Sequence, residues 1–212
     1  MEAFEDLLGL AEIAHGHLCA GQILGVRMAM LGCLRLGIEE PRGADRKRLV
    51  TFIEIDRCAT DAIGVVTGCR LGKRALKFRD WGKMAATFVD LSTGHSIRIA
   101  ARESSKALAR QMYPEMQNKN QQQMRAYREM PDAELFTEEW VQVALAPREF
   151  PGYKGERISC DVCGEGINYD RFVERSGRTM CHGCASPEER YYTPVGAGSV
   201  VPAAVAVPRC DC

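Results

Sequence analysis

Apolar residues recur at helical spacing through the first part of the chain. Phe4, Leu7, Leu8 and Ile13 predict a short helix over 4–14, and Ile23, Leu24, Met28, Leu31 and Leu34 predict a second over about 19–36. Gly37 stands where a helix cap belongs, with Pro41 beyond it. Gly21 and Gly25 lie four apart in that second helix. Glycine weakens a helix interior by roughly 0.5–1 kcal/mol, so the pair predicts a second backbone passing close by.

The pattern then shortens to that of strands. Leu49 to Asp56 predicts one, followed by a helix from Cys58 through Thr67 that Gly68 ends. Further strands are predicted at 75–79, 84–90 and 96–101, the last two joined by a turn at Ser92-Thr93-Gly94-His95. A long helical stretch runs from Glu103 to about 129, broken at Pro114, and its Gln- and Met-rich second half reads as an exposed arm. Residues 132–139 add a turn or two of helix, and Val141 to Leu145 a final strand. Pro147, Pro151 and Gly152 mark a boundary. The expected class is α+β: a mixed core domain with a long helical segment at 1–150, a small zinc finger at 151–190, and a flexible tail at 191–212.

The finger rests on Cys160-x2-Cys163-x17-Cys181-x2-Cys184. Two close cysteine pairs joined by an arm supply the four soft ligands that a tetrahedral zinc site needs. Between them, residues 167–175 read as strand, Ser176-Gly177-Arg178 as a hairpin turn, and the second pair opens a short helix, so the expected form is a treble clef. His182 lies between Cys181 and Cys184 and is a bystander, because four thiolates already complete the tetrahedron. Each cysteine pair alone is equally a redox motif.

Composition narrows the function classes. Lys plus Arg equals Asp plus Glu at 28 each, so no global field favours nucleic acid or an acidic membrane. Residues 151–190 carry six Lys or Arg against seven Asp or Glu, which argues against a nucleic-acid partner for the finger. No apolar run is long enough to span a bilayer. The acidic start Met1-Glu2-Ala3-Phe4-Glu5-Asp6 is unlike a signal peptide, and ten cysteines then imply a reducing, cytoplasmic setting with metal rather than disulfides.

A second ligand cluster is His15-Gly16-His17-Leu18-Cys19. In extended chain, residues two apart face the same side, so two imidazoles and a thiol could converge. Cys58 stands between a strand end and a helix start, with Asp61 one turn along. His17, Cys19 and Cys58 are the expected ligands of a second transition metal in the core, whose identity as zinc, iron or copper stays open. His15 is the candidate general base, and Asp61 the candidate partner that orients a ligand. Against this, a cysteine on a helix is commonly a small packing residue, and Cys33 is read that way. Lys73, Arg74 and Lys83 surround glycine turns and could hold an anion such as phosphate, or simply be solvated charge.

At these residues the chain resembles the FmdE family, named for formylmethanofuran dehydrogenase, over about residues 10–145. The blocks are His15 to Arg27, Cys58-Ala59-Thr60-Asp61-Ala62-Ile63, Thr67-Gly68-Cys69-Arg70-Leu71-Gly72-Lys73 and Asp80-Trp81-Gly82-Lys83. Ala20 replaces a common proline and Trp81 a common tyrosine. The resemblance implies an intertwined homodimer, a C-terminal zinc finger in some members, and genes beside molybdenum or tungsten enzymes. The expected function is a zinc-binding protein accessory to a molybdenum or tungsten enzyme, or to metal and cofactor handling. The alternatives are a metal-dependent enzyme using the His/Cys pocket, and a zinc-finger regulator or interaction module. The tail thiols Cys210 and Cys212 either reach a metal site or stay free.

Overall fold

Helix α2 (Ala20–Arg35) is apolar around much of its circumference, so it is buried by several neighbours rather than by one face. Ile23, Val26, Met28, Ala29 and Cys33 are fully buried. Helices α1 (Phe4–His15), α3 (Cys58–Thr67) and α5 (Lys119–Glu129) pack against it. Gly25 explains how α3 comes so near: a Cβ there would lie 2.5 Å from the Ala59 carbonyl oxygen and 2.8 Å from the Ala62 Cβ. Gly32 plays the same part for the sheet, since a Cβ would fall 2.4 Å from the Phe88 ring. Burial pushes the Cys33 thiol up to about 12, in keeping with a packing role.

A computed structural model describes residues 1–194, and the chain divides into two compact units, Met1–Gly152 and Tyr153–Cys212. In the first, strands β1 (Leu49–Ile53), β2 (Leu76–Phe78), β3 (Ala85–Asp90), β4 (Ser96–Ala101) and β5 (Phe136–Val141) form a sheet ordered β2-β1-β3-β4-β5. Only β1 and β2 are parallel, joined through α3. The other pairings are antiparallel, for example Thr51↔Phe88, Phe88↔Ile97 and Ile97↔Trp140. Strand alternation splits β1 and β3 between two cores. Leu49, Ile53, Ala86 and Phe88 face the helices, while Val50, Phe52 and Val89 pack with Leu91, Val143 and Leu145. On the latter side Glu54, 2% exposed, accepts two bonds from Arg98 at 2.7 Å each, so its charge is paired.

Three expectations change here. The Gln-rich stretch is not an exposed arm: α5 packs on α2 and on α4 (Ser104–Met112), burying Ala126 and Tyr127. Buried Gln122 donates to the Tyr113 and Met116 carbonyls, which explains a polar residue on the inner face. Arg27 of α2 donates to the Tyr127 and Met130 carbonyls and pairs with Asp132, fastening the end of α5. The final strand is Phe136–Val141, following a single turn, α6 (Asp132–Leu135). It is an edge strand with charged, exposed Glu138 and Glu139, which hides its alternation from a hydrophobicity reading.

The second unit holds two hairpins and a turn of helix. β6 (Arg157–Ser159) pairs with β7 (Gly166–Asn168), and β8 (Phe172–Arg175) with β9 (Arg178–Cys181), which leads into α7 (His182–Ala185). The single strand expected at 167–175 is broken because Tyr169 and Asp170 take φ of 60° and 55°. Asp170 is held there by the Glu156 N–H at 2.9 Å and by the Tyr153 hydroxyl. The Cys210–Cys212 tail lies outside the described residues.

Candidate functional site

The hairpins of the second unit bring Cys160, Cys163, Cys181 and Cys184 together, with all four sulfurs within 4.8 Å of one another. Gly164 makes the first turn possible at φ +76°, and its N–H donates to the Cys160 carbonyl at 2.9 Å. Asp161 ties that knuckle to the second hairpin through Thr179: each backbone N–H finds an acceptor on the other residue, at 2.9 and 2.6 Å. Zinc–sulfur bonds of about 2.3 Å in a tetrahedron put sulfurs about 3.8 Å apart, close to the 4.0 Å between Cys163 and Cys181. Backbone N–H groups, led by those of Cys163 and Cys181, hold the Cys160 thiol down at about 6. The Cys181 thiol first, and then burial, push Cys184 up to about 12. Four sulfurs this close cannot all ionise without a cation among them, so the donor set fits zinc. His182 is outside this group.

The core cluster is built at a junction of helices. Alternation in the sequence suggests extended chain over 15–19. Instead, α1 ends at His15 and the chain reverses at Gly16, φ +95°, whose N–H still reaches the Glu12 carbonyl at 2.7 Å. Cys19 is the extended residue that precedes α2. His15, His17 and Cys19 each offer a ligand atom, all within 4.8 Å of one another. The two imidazole centroids are 4.7 Å apart.

Asp61, in the first turn of α3, reaches His15 with Oδ2 2.8 Å from Nδ1. The other ring nitrogen, Nε2, is buried and has no hydrogen-bond partner among the described residues. Leaving such a nitrogen unsatisfied costs about 1–3 kcal/mol, so something is expected to meet it. A histidine with one nitrogen held by a carboxylate and the other bare is the usual form of a metal-binding imidazole. The donor set of two imidazoles and a thiol therefore fits a transition metal.

Cys58 is not in that group, although it is close by. Its Cβ would lie 3.1 Å from a Cβ at Gly21, and its carbonyl accepts from Gln22 Nε2 at 2.7 Å. Gln22 was missed from the sequence. It is fully buried, and its Oε1 has no partner among the described residues. The available signal was one amide inside the apolar run from Ala20 to Leu24. Cys69 is buried, with Thr51 Oγ1 and the Leu49 carbonyl each 3.5 Å from its sulfur, and burial raises its pKa. Trp81 is exposed in a loop whose Trp81 and Lys83 N–H groups both bind the Glu54 carbonyl. A cavity of about 770 Å³ lies beside α1 and α3 in the same unit and includes Lys73 among its walls.

Comparison with known proteins agrees with this architecture. A protein from Archaeoglobus fulgidus named "Probable S-adenosyl-L-methionine-binding protein" is 29% identical over a 218-residue alignment, which covers 92% of this chain and 56% of that protein. The chain thus spans little more than half of that relative's length. The crystal structure of an FmdE-like protein of tungsten formylmethanofuran dehydrogenase, from Syntrophus aciditrophicus, superposes with a TM-score of 0.61. It is 18% identical, and the match covers 89% of this chain and 95% of that one. The two share a fold. Residues 154–190 match the prokaryotic dksA/traR C4-type zinc finger. No helix among the described residues is long and apolar enough to cross a membrane. Residues 14–137 match the profile of the family described as "FmdE, Molybdenum formylmethanofuran dehydrogenase operon", more than half of the sequence, and the chain belongs to that family.

Proposed function

We propose that this protein is a cytoplasmic, homodimeric metal-binding protein that serves a molybdenum or tungsten enzyme, in metal or cofactor handling. Zinc is held by Cys160, Cys163, Cys181 and Cys184 in a treble-clef finger. A second transition metal is held in the core by His15, His17 and Cys19, with Asp61 orienting His15 and Cys58 adjacent as a further thiol. The observation that carries the core site is the bare, buried Nε2 of His15, next to His17 and Cys19 and backed by Asp61. A metal there would supply Lewis acidity or a thiolate-bound exchange site. The protein's own residues supply orientation and burial. Family membership supports the link to molybdenum or tungsten enzymes.

S-adenosylmethionine binding stays with the Archaeoglobus protein, of which this chain covers 56%. A second reading is a metal-dependent enzyme. It is favoured by the three converging ligand atoms, since three protein ligands leave a coordination position open to substrate.

Anaerobic metal analysis of the wild type beside Cys19→Ser and Cys160→Ser tests the proposal. Two metals per chain, falling to one in each variant, are expected. One metal per chain, unchanged in Cys19→Ser and lost in Cys160→Ser, would leave only the finger and refute the core site. Light scattering on the same samples tests the dimer.

A further inference from the structure

The cavity beside α1 and α3 combines two chemistries. Leu10, Ala14, Leu49, Val65 and Leu91 give it apolar walls. Arg42, Arg46 and Lys47, from the loop after α2, and Arg70 and Lys73, from the loop after α3, stand around it, and no acidic side chain among the described residues lines it. Arg42 is paired with Glu2. Arg46, Lys47, Arg70 and Lys73 form no ion pair with any described carboxylate.

The contrast with their neighbour Arg48 is informative. Arg48 does not line the cavity, and two carboxylates hold it, Asp45 and Asp90, each at 2.8 Å. Asp45 Oδ2 is used by the Glu39 and Glu40 N–H groups. The nearby acids are thus committed elsewhere, while four uncompensated cations from two separate loops surround one concavity. Apolar walls keep the local dielectric low and concentrate that field. The volume of about 770 Å³ falls within the roughly 300–1,000 Å³ of small-molecule sites.

We infer that this cavity binds a phosphorylated organic molecule of nucleotide size, its phosphates on Arg46, Lys47, Arg70 and Lys73 and its apolar or aromatic body against Leu10, Ala14 and Val65. Arginine forks match phosphate oxygens in pairs, and lysine adds point charge, which is the donor set a diphosphate needs. None of these residues belongs to either metal cluster, so the inference stands apart from the metal reading. Ala14 directly precedes His15, so the same helix carries one wall of the cavity and one member of the core cluster.

Calorimetry on the full chain tests this with ADP as the probe, adenosine and inorganic pyrophosphate as its two halves, and an Arg70→Gln/Lys73→Gln variant. Both positions are exposed, so the variant should fold, and circular dichroism checks that it does. ADP should bind more tightly than either half, and more weakly as salt rises. It should lose roughly tenfold or more in the variant, as expected for lost charge-assisted bonds. No binding of ADP up to about 5 mM, where even the weakest specific sites register, would overturn the inference. So would binding unchanged in the variant, or pyrophosphate binding as tightly as ADP, which would leave the apolar walls without a role.

Discussion

Gly25→Ala tests how the two helices that carry the core cluster are held. A Cβ at position 25 would lie 2.5 Å from the Ala59 oxygen, and ordinary contact begins at 3.4 Å, so α2 and α3 must part by about 0.9 Å. The obstructing atoms include the Ala59 backbone, which cannot rotate aside as a side chain could. Alanine returns about 1 kcal/mol of helix propensity, whereas overpacking a close contact costs about 1–3 kcal/mol. With backbone as the obstacle the upper end applies, and a net loss of about 1–2 kcal/mol is expected. Gly9→Ala is the control. Gly9 also sits inside a helix, and nothing among the described residues lies within 4 Å of its added Cβ, so it should gain up to about 1 kcal/mol. Urea unfolding followed by far-ultraviolet circular dichroism reads both, because α1 to α6 all lie in the first unit. The displacement also has a functional consequence. Cys19 opens α2, and Asp61, which holds His15, lies on α3, so Gly25→Ala should weaken the core metal before it unfolds the chain. A Gly25→Ala protein as stable as Gly9→Ala, with the same metal content as wild type, would refute the close-approach account.

Other perturbations give sharper local readouts. Asp61→Asn should lower core metal affinity by about 10- to 100-fold in a competitive chelator titration while leaving the finger metal in place, because it removes only the support of His15. Chelation of zinc from the full chain should melt the four-cysteine unit, seen as proteolysis beyond residue 153 with the N-terminal unit intact, since four clustered thiols have no other common partner. Burial would raise the Asp90 carboxyl, but Arg48, Ser92 and Thr93 hold it well below its ordinary 3.8. A depressed carboxylate stabilises fully above its unfolded value, and that contribution is lost as pH falls through 3.8 and below. Asp90→Asn should therefore cost about 2 kcal/mol near neutrality and flatten the acid limb of a stability-versus-pH curve, and an unaltered acid limb would count against the pairing.

Much of this protein was written locally. Apolar periodicity and glycine stops are properties of neighbouring residues, so the bounds of α2 and α3, the turn before Ser96 and the close-approach glycine at position 25 could be read without coordinates. The four-cysteine spacing was legible for the same reason, because a zinc ligand set built from two turns is specified by short-range chemistry. Edge and packing relations were not. Glu138 and Glu139 hide β5 because only the sheet decides that a strand has one side in solvent, and Gln122 and Tyr127 look exposed until α2 covers them. The core cluster lies between these cases. His15, His17 and Cys19 stand together in the sequence, but their convergence through a helix end and a positive-φ glycine, the hold of Asp61 on His15 across 46 residues, and the position of Cys58 outside the group are tertiary facts. So is the gathering of two distant loops of cations around one cavity, since charge carries no periodicity and only folding decides which charges share a wall.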